Sequence, residues 1–231
     1  MSDSTLTDFA EGLGKVGLNL GDLIFVHSNL GFFGKLEPFG DASECMMIYE
    51  AVRAVIGEVG TLCVPEYSFT PCGIFSHYVA EMYGNATTGD RLFNIAVDGP
   101  LSDTLTQHLD NECFGLNSFW HRFLFQEGKF VNFNFDAGST FIHYVEKQLN
   151  VPYRKDRLIN GMVYFSRDLN DASASPRFER FDHLAREQGL VQTAKVGRGS
   201  IVSITAKDTY RLIAEQIRIE PNFLIERGAH D

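Results

Sequence analysis

A strand–helix–strand succession near the start of the chain constrains the fold more than any other feature. "LIFVHSNL" is an apolar run whose polar residues arrive only at its end. "DASECMMIYEAVRAVIGEVG" then repeats apolar residues at three and four, with Asp41 or Ser43 to cap it and Gly57 and Gly60 to end it. "TLCVPEYSF" is a second apolar run, closed by Pro65. Strand, helix and strand in this order form a βαβ unit of an α/β layered fold.

The rest of the chain extends that pattern. "TLTDFAEGLGKVGL" has helical spacing and stops at Gly17, and "LSDTLTQHL" predicts a helix opened by Ser102 or Asp103. "GKFVNFNF" predicts a third strand, and "LINGMVYFSR" and "GRGSIVSITA" two later ones. "FERFDHLAREQGL" and "AKDTYRLIAEQIR" predict the last helices. Residues 66–118, rich in Gly, Thr, Asn and aromatics, give no such pattern. The 231 residues suit one domain, 1–231, with "SRDLNDASASPR" at 166–177 expected to be a mobile loop.

Composition excludes several classes of function. An apolar fraction of 44% against 22% charged supplies a real core. The net charge of -10, from 30 acidic and 20 basic residues, argues against nucleic acid, which demands a basic face. It tolerates a cationic substrate, although solubility alone accounts for it. The four cysteines are scattered without a C-x-x-C pair. Cys45 and Cys63 sit in apolar runs as buried thiols, and Cys72 is a weak nucleophile candidate without a neighbouring base. No cationic-then-apolar leader opens the chain and no apolar run reaches the ~18 residues of a membrane helix, so a cytoplasmic protein without a membrane partner is expected.

Three stretches place polar groups just past predicted strand ends, where ligands bind in open α/β sheets. They are His27-Ser28-Asn29, Glu66-Tyr67-Ser68, and Asp136 through Glu146. In "DAGSTFIHYVEKQL" Gly138 lets the chain turn, and Ser139 or Thr140 can take a free amide at the helix start. His143 then falls in the first turn, where the helix dipole disfavours imidazolium, and Glu146 lies on the same surface three residues on. The pair is either a solvated His and Glu or a general base with the carboxylate that orients it. Ser28 is a nucleophile or a hydrogen-bond donor to a ligand; His27 is a second base or a packing residue. No G-x-S-x-G elbow surrounds Ser28, and no H-E-x-x-H or third ligand accompanies His143, so neither a hydrolase nor a metal site gains support. Arg154, Lys155 and Arg157 in "PYRKDR" can hold phosphates or line a solvated loop; "GRG" at 197–199 reads as a turn.

Taken together, "LNLGDLIFVHSNLGFFG", "VGTLCVPEYSF" and "STFIHYVEKQLNVPYR" resemble the aminoglycoside 3-N-acetyltransferase family, and the resemblance runs on through "FERFDHL" and "KVGRG". It implies a three-layer α/β/α sandwich with a mixed, largely parallel central sheet, and acetyl transfer from acetyl-coenzyme A to a small-molecule amine without a metal. On this resemblance His143 is the catalytic base and Glu146 its partner. Ser28 matches a serine beside the thioester arm, Thr140 the helix-entry threonine, and Arg91 a residue near the substrate. Apart from the resemblance, the charges of Arg154 and Lys155 suit them to the coenzyme's phosphates, and the place of His27, Glu66 and Tyr67 at strand ends suits them to the acceptor.

The chain departs from the family at Asn29 and in "RLFNI", which keeps Arg91 but lacks a serine, histidine and proline. Those changes fall where the acceptor is expected. With the wording of "FWHRF" they point to amino sugars or sugar nucleotides of surface-polysaccharide synthesis beside aminoglycosides. A serine-type hydrolase on Ser28, His143 and Glu146, or a non-catalytic binding protein, are the alternatives. The oligomeric state is open, a homo-oligomer included.

Overall fold

Strand β1, Leu23–Ser28, sends its side chains alternately into two separate cores, and this alternation defines the layers. Leu23 and Phe25 join one core, Ile24 and Val26 the other. The computed structural model describes residues 5–33, 43–84, 86–167 and 176–225.

One core is closed by helices α1 (Leu6–Lys15), α2 (Glu44–Ile56) and α3 (Ile74–Tyr83), through Phe9, Ile48 and Phe75. The opposite core is closed by α4 (Ser102–Thr106), α5 (Phe119–Phe125), α6 (Ile142–Gln148), α7 (Phe178–Glu187) and α8 (Ala206–Ile219). Trp120 at its centre is 1% exposed, and truncating so large a buried ring costs about 3–5 kcal/mol. The result is the expected three-layer α/β/α sandwich. Among the described residues no helix is long and apolar enough to cross a membrane.

The middle layer also contains β2 (Thr61–Tyr67), β3 (Ala86–Thr87), β4 (Phe93–Asp98), β5 (Lys129–Phe133), β8 (Gln192–Val196) and β9 (Gly199–Thr205), in the order β3-β4-β2-β1-β5-β9-β8. The sheet is mixed, as expected, but parallel pairing is confined to its centre: β1 runs parallel to β2 and β5, while every other neighbour pair is antiparallel. Helix α2 supplies the crossover that parallel neighbours need, whereas β8 and β9 are joined by the short turn at Gly197 and must run back on each other.

Local chemistry explains the elements. Thr5 and Asp8 form a reciprocal capping box on α1, which ends before Gly17 at φ 81°. Ser43 caps α2 by accepting from Met46 N; Asp41, the alternative cap, lies outside the described residues. Pro65 does not close β2. Registered pairing with β1 stops at Cys63, so the strand continues against β4 alone as far as Tyr67. "LINGMVYFSR" is not one strand but part of a hairpin, β6 (Lys155–Ile159) and β7 (Met162–Ser166). Asn160 and Gly161 turn it at φ 52° and 86°, both in the left-handed region that a type I′ turn requires. Most of the expected mobile loop, 168–175, lies outside the described residues.

Candidate active site

Because β1, β2 and β5 are parallel, their carboxyl ends share one edge, and Ser28, Tyr67 and Phe133 stand there side by side. The chain leaving β5 is folded tightly. Buried Asn132 donates its amide hydrogens to the carbonyls of Asp136 and Gly138. Ala137 N donates to Asp182 Oδ1 on α7 at 2.8 Å. A side chain at Gly138 would put its Cβ 2.6 Å from the Phe178 ring, so glycine is required by close approach. Ser139, rather than Thr140, takes the free amide, accepting from Phe141 N at 3.1 Å. Thr140 instead accepts from the Tyr67 hydroxyl at 3.0 Å, and its carbonyl accepts from His143 N at 3.0 Å.

His143 and Glu146 are not a solvated pair. His143 Nδ1 lies 2.6 Å from Glu146 Oε2, with the imidazole side chain 15% exposed and the carboxylate 0%. The Tyr153 hydroxyl donates to Glu146 Oε1 at 3.0 Å, and Arg154 Nε lies 2.6 Å from Oε2. Phe114 presents an edge to the imidazole, with centroids 5.7 Å apart. With Nδ1 bound to the carboxylate, Nε2 on the far side of the ring has no hydrogen-bond partner among the described residues.

Burial pushes His143 below the usual histidine range, and the Arg154 charge adds to this; Glu146 opposes both. Desolvation and the neighbouring guanidinium are thus the causes that favour a neutral ring at His143. Burial alone would raise Glu146, but the His143 charge and hydrogen bond, Arg154 and the Tyr153 hydroxyl outweigh it and hold the carboxyl low.

His27 and Ser28 lie at the same edge but do not join the dyad. His27 packs between Phe25 and Tyr67, and burial lowers its pKa to about 4. Its Nε2 and the Ser28 hydroxyl are buried atoms without partners among the described residues. Both residues line a cleft of about 490 Å³, with Asn29, Tyr67, Cys72 and Gly73. A second cleft, of about 330 Å³, shares His27 and Phe135 and reaches Ser139 and Thr140. Among the described residues no base is bonded to Ser28, so the geometry gives an activated serine nucleophile no support. The Cys72 thiol accepts from Tyr67 N at 3.1 Å, and burial pushes its pKa up.

The remaining candidates are dispersed. Glu66 accepts from Asn94 at 2.9 Å and lines a further cleft, of about 240 Å³, with Tyr67, Cys72 and Gly73. Arg91 is exposed on the turn before β4, and Lys155 is exposed at the start of β6. Arg154 is 6% exposed and lies against Glu146, away from the open surface where phosphates would be met. Tyr153, which sequence reasoning misses, completes the carboxylate's partners; its one signal is its place beside Arg154 just after the helix. No group of His, Cys, Asp and Glu that could hold a metal occurs among the described residues.

Residues 67–218 match the profile of the aminoglycoside 3-N-acetyltransferase family. No curated protein gives a match. Among solved structures, a mutant of aminoglycoside acetyltransferase AAC(3)-IVa in complex with a gentamicin superposes with a TM-score of 0.80 at 20% identity, covering 98% of this chain and 93% of that one. AAC(3)-IIb gives 0.77 at 19%, covering 95% and 98%. AAC-IIIb in its binary complex with CoASH gives 0.75 at 17%, covering 99% and 100%. The match over residues 67–218 places the chain in the aminoglycoside 3-N-acetyltransferase family, a class of coenzyme A-dependent N-acetyltransferases.

Proposed function

We propose that the enzyme acetylates a primary amine of an amino sugar, a sugar nucleotide or an aminoglycoside, with His143 as general base and Glu146 orienting it. The observation that carries this is the 2.6 Å contact between His143 Nδ1 and a fully buried Glu146. It fixes the tautomer that leaves Nε2 as proton acceptor. The alkylammonium first loses one proton to solvent through Nε2, and the neutral amine then attacks the thioester carbonyl carbon while its second proton passes to Nε2. The C–N bond forms, the C–S bond breaks, and the proton passes from Nε2 to the departing sulfur. His143 returns to its neutral form without a covalent enzyme intermediate, and Glu146 balances the charge that appears on the ring between the two transfers.

The orphaned Ser28 hydroxyl and His27 Nε2 suit the cleft of about 490 Å³ to the thioester arm of acetyl-coenzyme A. Thr140 lies where the second cleft approaches the dyad. Tyr67 and Arg91 are assigned to the acceptor side, and Lys155, an exposed cation, to the phosphates. One solved relative holds CoASH and another a gentamicin, which supports a coenzyme and an amine in the same fold. The altered "RLFNI" segment favours amino sugars or their nucleotides, and with them a place in cytoplasmic polysaccharide synthesis.

The test is thiol release from acetyl-coenzyme A with a panel of amino sugars, nucleotide-linked amino sugars and aminoglycosides. Amine-dependent release, lost in His143→Ala, is expected. Release that persists without amine, or that survives the substitution on the best acceptor, would overturn the assignment.

A further inference from the structure

We propose that Arg154 is a positioning residue that cancels the charge of Glu146, so that the carboxylate can hold the His143 ring without protonating it. The inference rests on the dyad assigned above and gives it a third member.

A carboxylate 2.6 Å from an imidazole in a dry site does two things at once. It orients the ring, and it stabilises the imidazolium, which is useless as a base. A general base at neutral pH needs the first effect without the second. The structure puts a cation on the same oxygen: Arg154 Nε and His143 Nδ1 both lie 2.6 Å from Glu146 Oε2. The ring therefore meets an ion pair instead of an isolated negative charge. Arginine suits this task, since its planar guanidinium presents a fixed fork of donors to the carboxylate.

Arg154 is not explained as an ordinary structural arginine. Its side chain is 4% exposed, yet Nε and Nη2 find no well-directed hydrogen-bond acceptor among the described residues. Its interactions are the charge of Glu146 and a cation–π contact with Tyr153 at 5.8 Å. A buried guanidinium with unsatisfied N–H groups is costly unless its charge is needed.

The other titratable groups around α6 leave this balance to Arg154. Lys147, next along the helix, is occupied by Glu112 at 2.8 Å and Asp156 at 2.5 Å. Tyr67 on β2 and Tyr153 are both raised by burial and remain neutral. Burial likewise raises Cys113, in the segment before α5, and keeps His27 on β1 uncharged.

The experiment compares Arg154→Met, Arg154→Gln and Arg154→Lys in the full chain, through two readouts. The first is the NMR titration of the His143 ring, which needs no substrate. The second is the acid limb of kcat/KM on the best acceptor. In the two neutral variants both midpoints should move up by roughly one to three pH units, the usual effect of removing a near charge. Arg154→Lys should stay near the parent. Where Arg154→Met fails to fold, Arg154→Gln, which keeps length and polarity, carries the comparison. Unmoved midpoints in a folded neutral variant would overturn the proposal, as would a lysine variant that titrates like the glutamine one. A ring that titrates as expected in a protein that acetylates nothing would sink the proposed function and leave the role of Arg154 standing.

Discussion

The Tyr67 hydroxyl donates to Thr140 Oγ1 at 3.0 Å, and this bond ties the end of β2 to the turn that delivers His143. Thr140 in turn receives the His143 amide on its carbonyl, so a strand end and a helix start are linked through one residue. Tyr67→Phe keeps the ring packing on Phe93 and removes only the bond. Stability should fall by about 1 kcal/mol, the usual worth of one hydrogen bond. The dyad loses a constraint, so kcat should fall several-fold with little change in KM for acetyl-coenzyme A. Denaturant unfolding and steady-state kinetics measure the two effects separately.

His143→Ala should leave the fold and both ligand affinities nearly intact and lower the rate by roughly 10²–10⁴. Glu146→Gln should also be slow, because an amide cannot balance imidazolium and can hold the wrong tautomer. It is the less conservative change for stability, since Arg154 then faces no anion in a buried site. In the double variant the losses should not add, as a carboxylate has nothing to orient once the ring is gone. Rates that multiply independently would separate the two residues mechanistically.

The dyad is legible in sequence because its geometry is local: residues three apart on any helix share a surface. The βαβ unit is legible for the same reason, since Leu23–Val26 and Leu62–Val64 are apolar throughout. Strand direction is not. Nothing within β9 states that it runs against β5; the antiparallel ladder between them, from Lys129↔Thr205 to Phe133↔Ile201, and the Asn134 side chain that accepts from Ser200 N at 2.9 Å, involve residues far apart in sequence. β8 escapes sequence reading because just Ala194 and Val196 of "QTAKV" are buried, too few for a clear alternation. The Asn160-Gly161 turn does carry a sequence signal, hidden inside a run of apolar residues. Arg154 shows the deeper difficulty. Whether a cation meets solvent or a carboxylate depends on how the chain after α6 folds back, which no local pattern records.

Stability should depend on pH through His27. Its folded pKa of about 4 lies below the ordinary histidine value, so between about pH 6.5 and 4 the unfolded chain binds more protons than the native one. Stability is therefore full above this window and is lost as pH falls through it, by up to about 3 kcal/mol for this one group. Denaturant midpoints between pH 7 and 4 should show the slope, and His27→Gln should flatten it. An unchanged slope in that variant would assign the effect elsewhere, with His143, displaced in the same direction, as the next residue to replace.

Gly73, which opens α3, stands against the Ser28 carbonyl at the wall of the larger cleft. Its φ of 86° is open to glycine and strained for other residues, and an added Cβ would come 2.6 Å from that carbonyl oxygen. Gly73→Ala should thus displace Ser28 and narrow the cleft without touching His143 or Glu146. A ligand selective for the folded state raises the thermal midpoint more the more tightly it binds, so coenzyme A should protect the parent and protect Gly73→Ala less. KM for acetyl-coenzyme A should rise, while the acid limb of the pH–rate profile stays in place because the groups around the base are unchanged. If the variant instead shifts the acid limb and binds coenzyme A as the parent does, the coenzyme does not use this cleft, and Ser28 serves the dyad's side of the sheet edge.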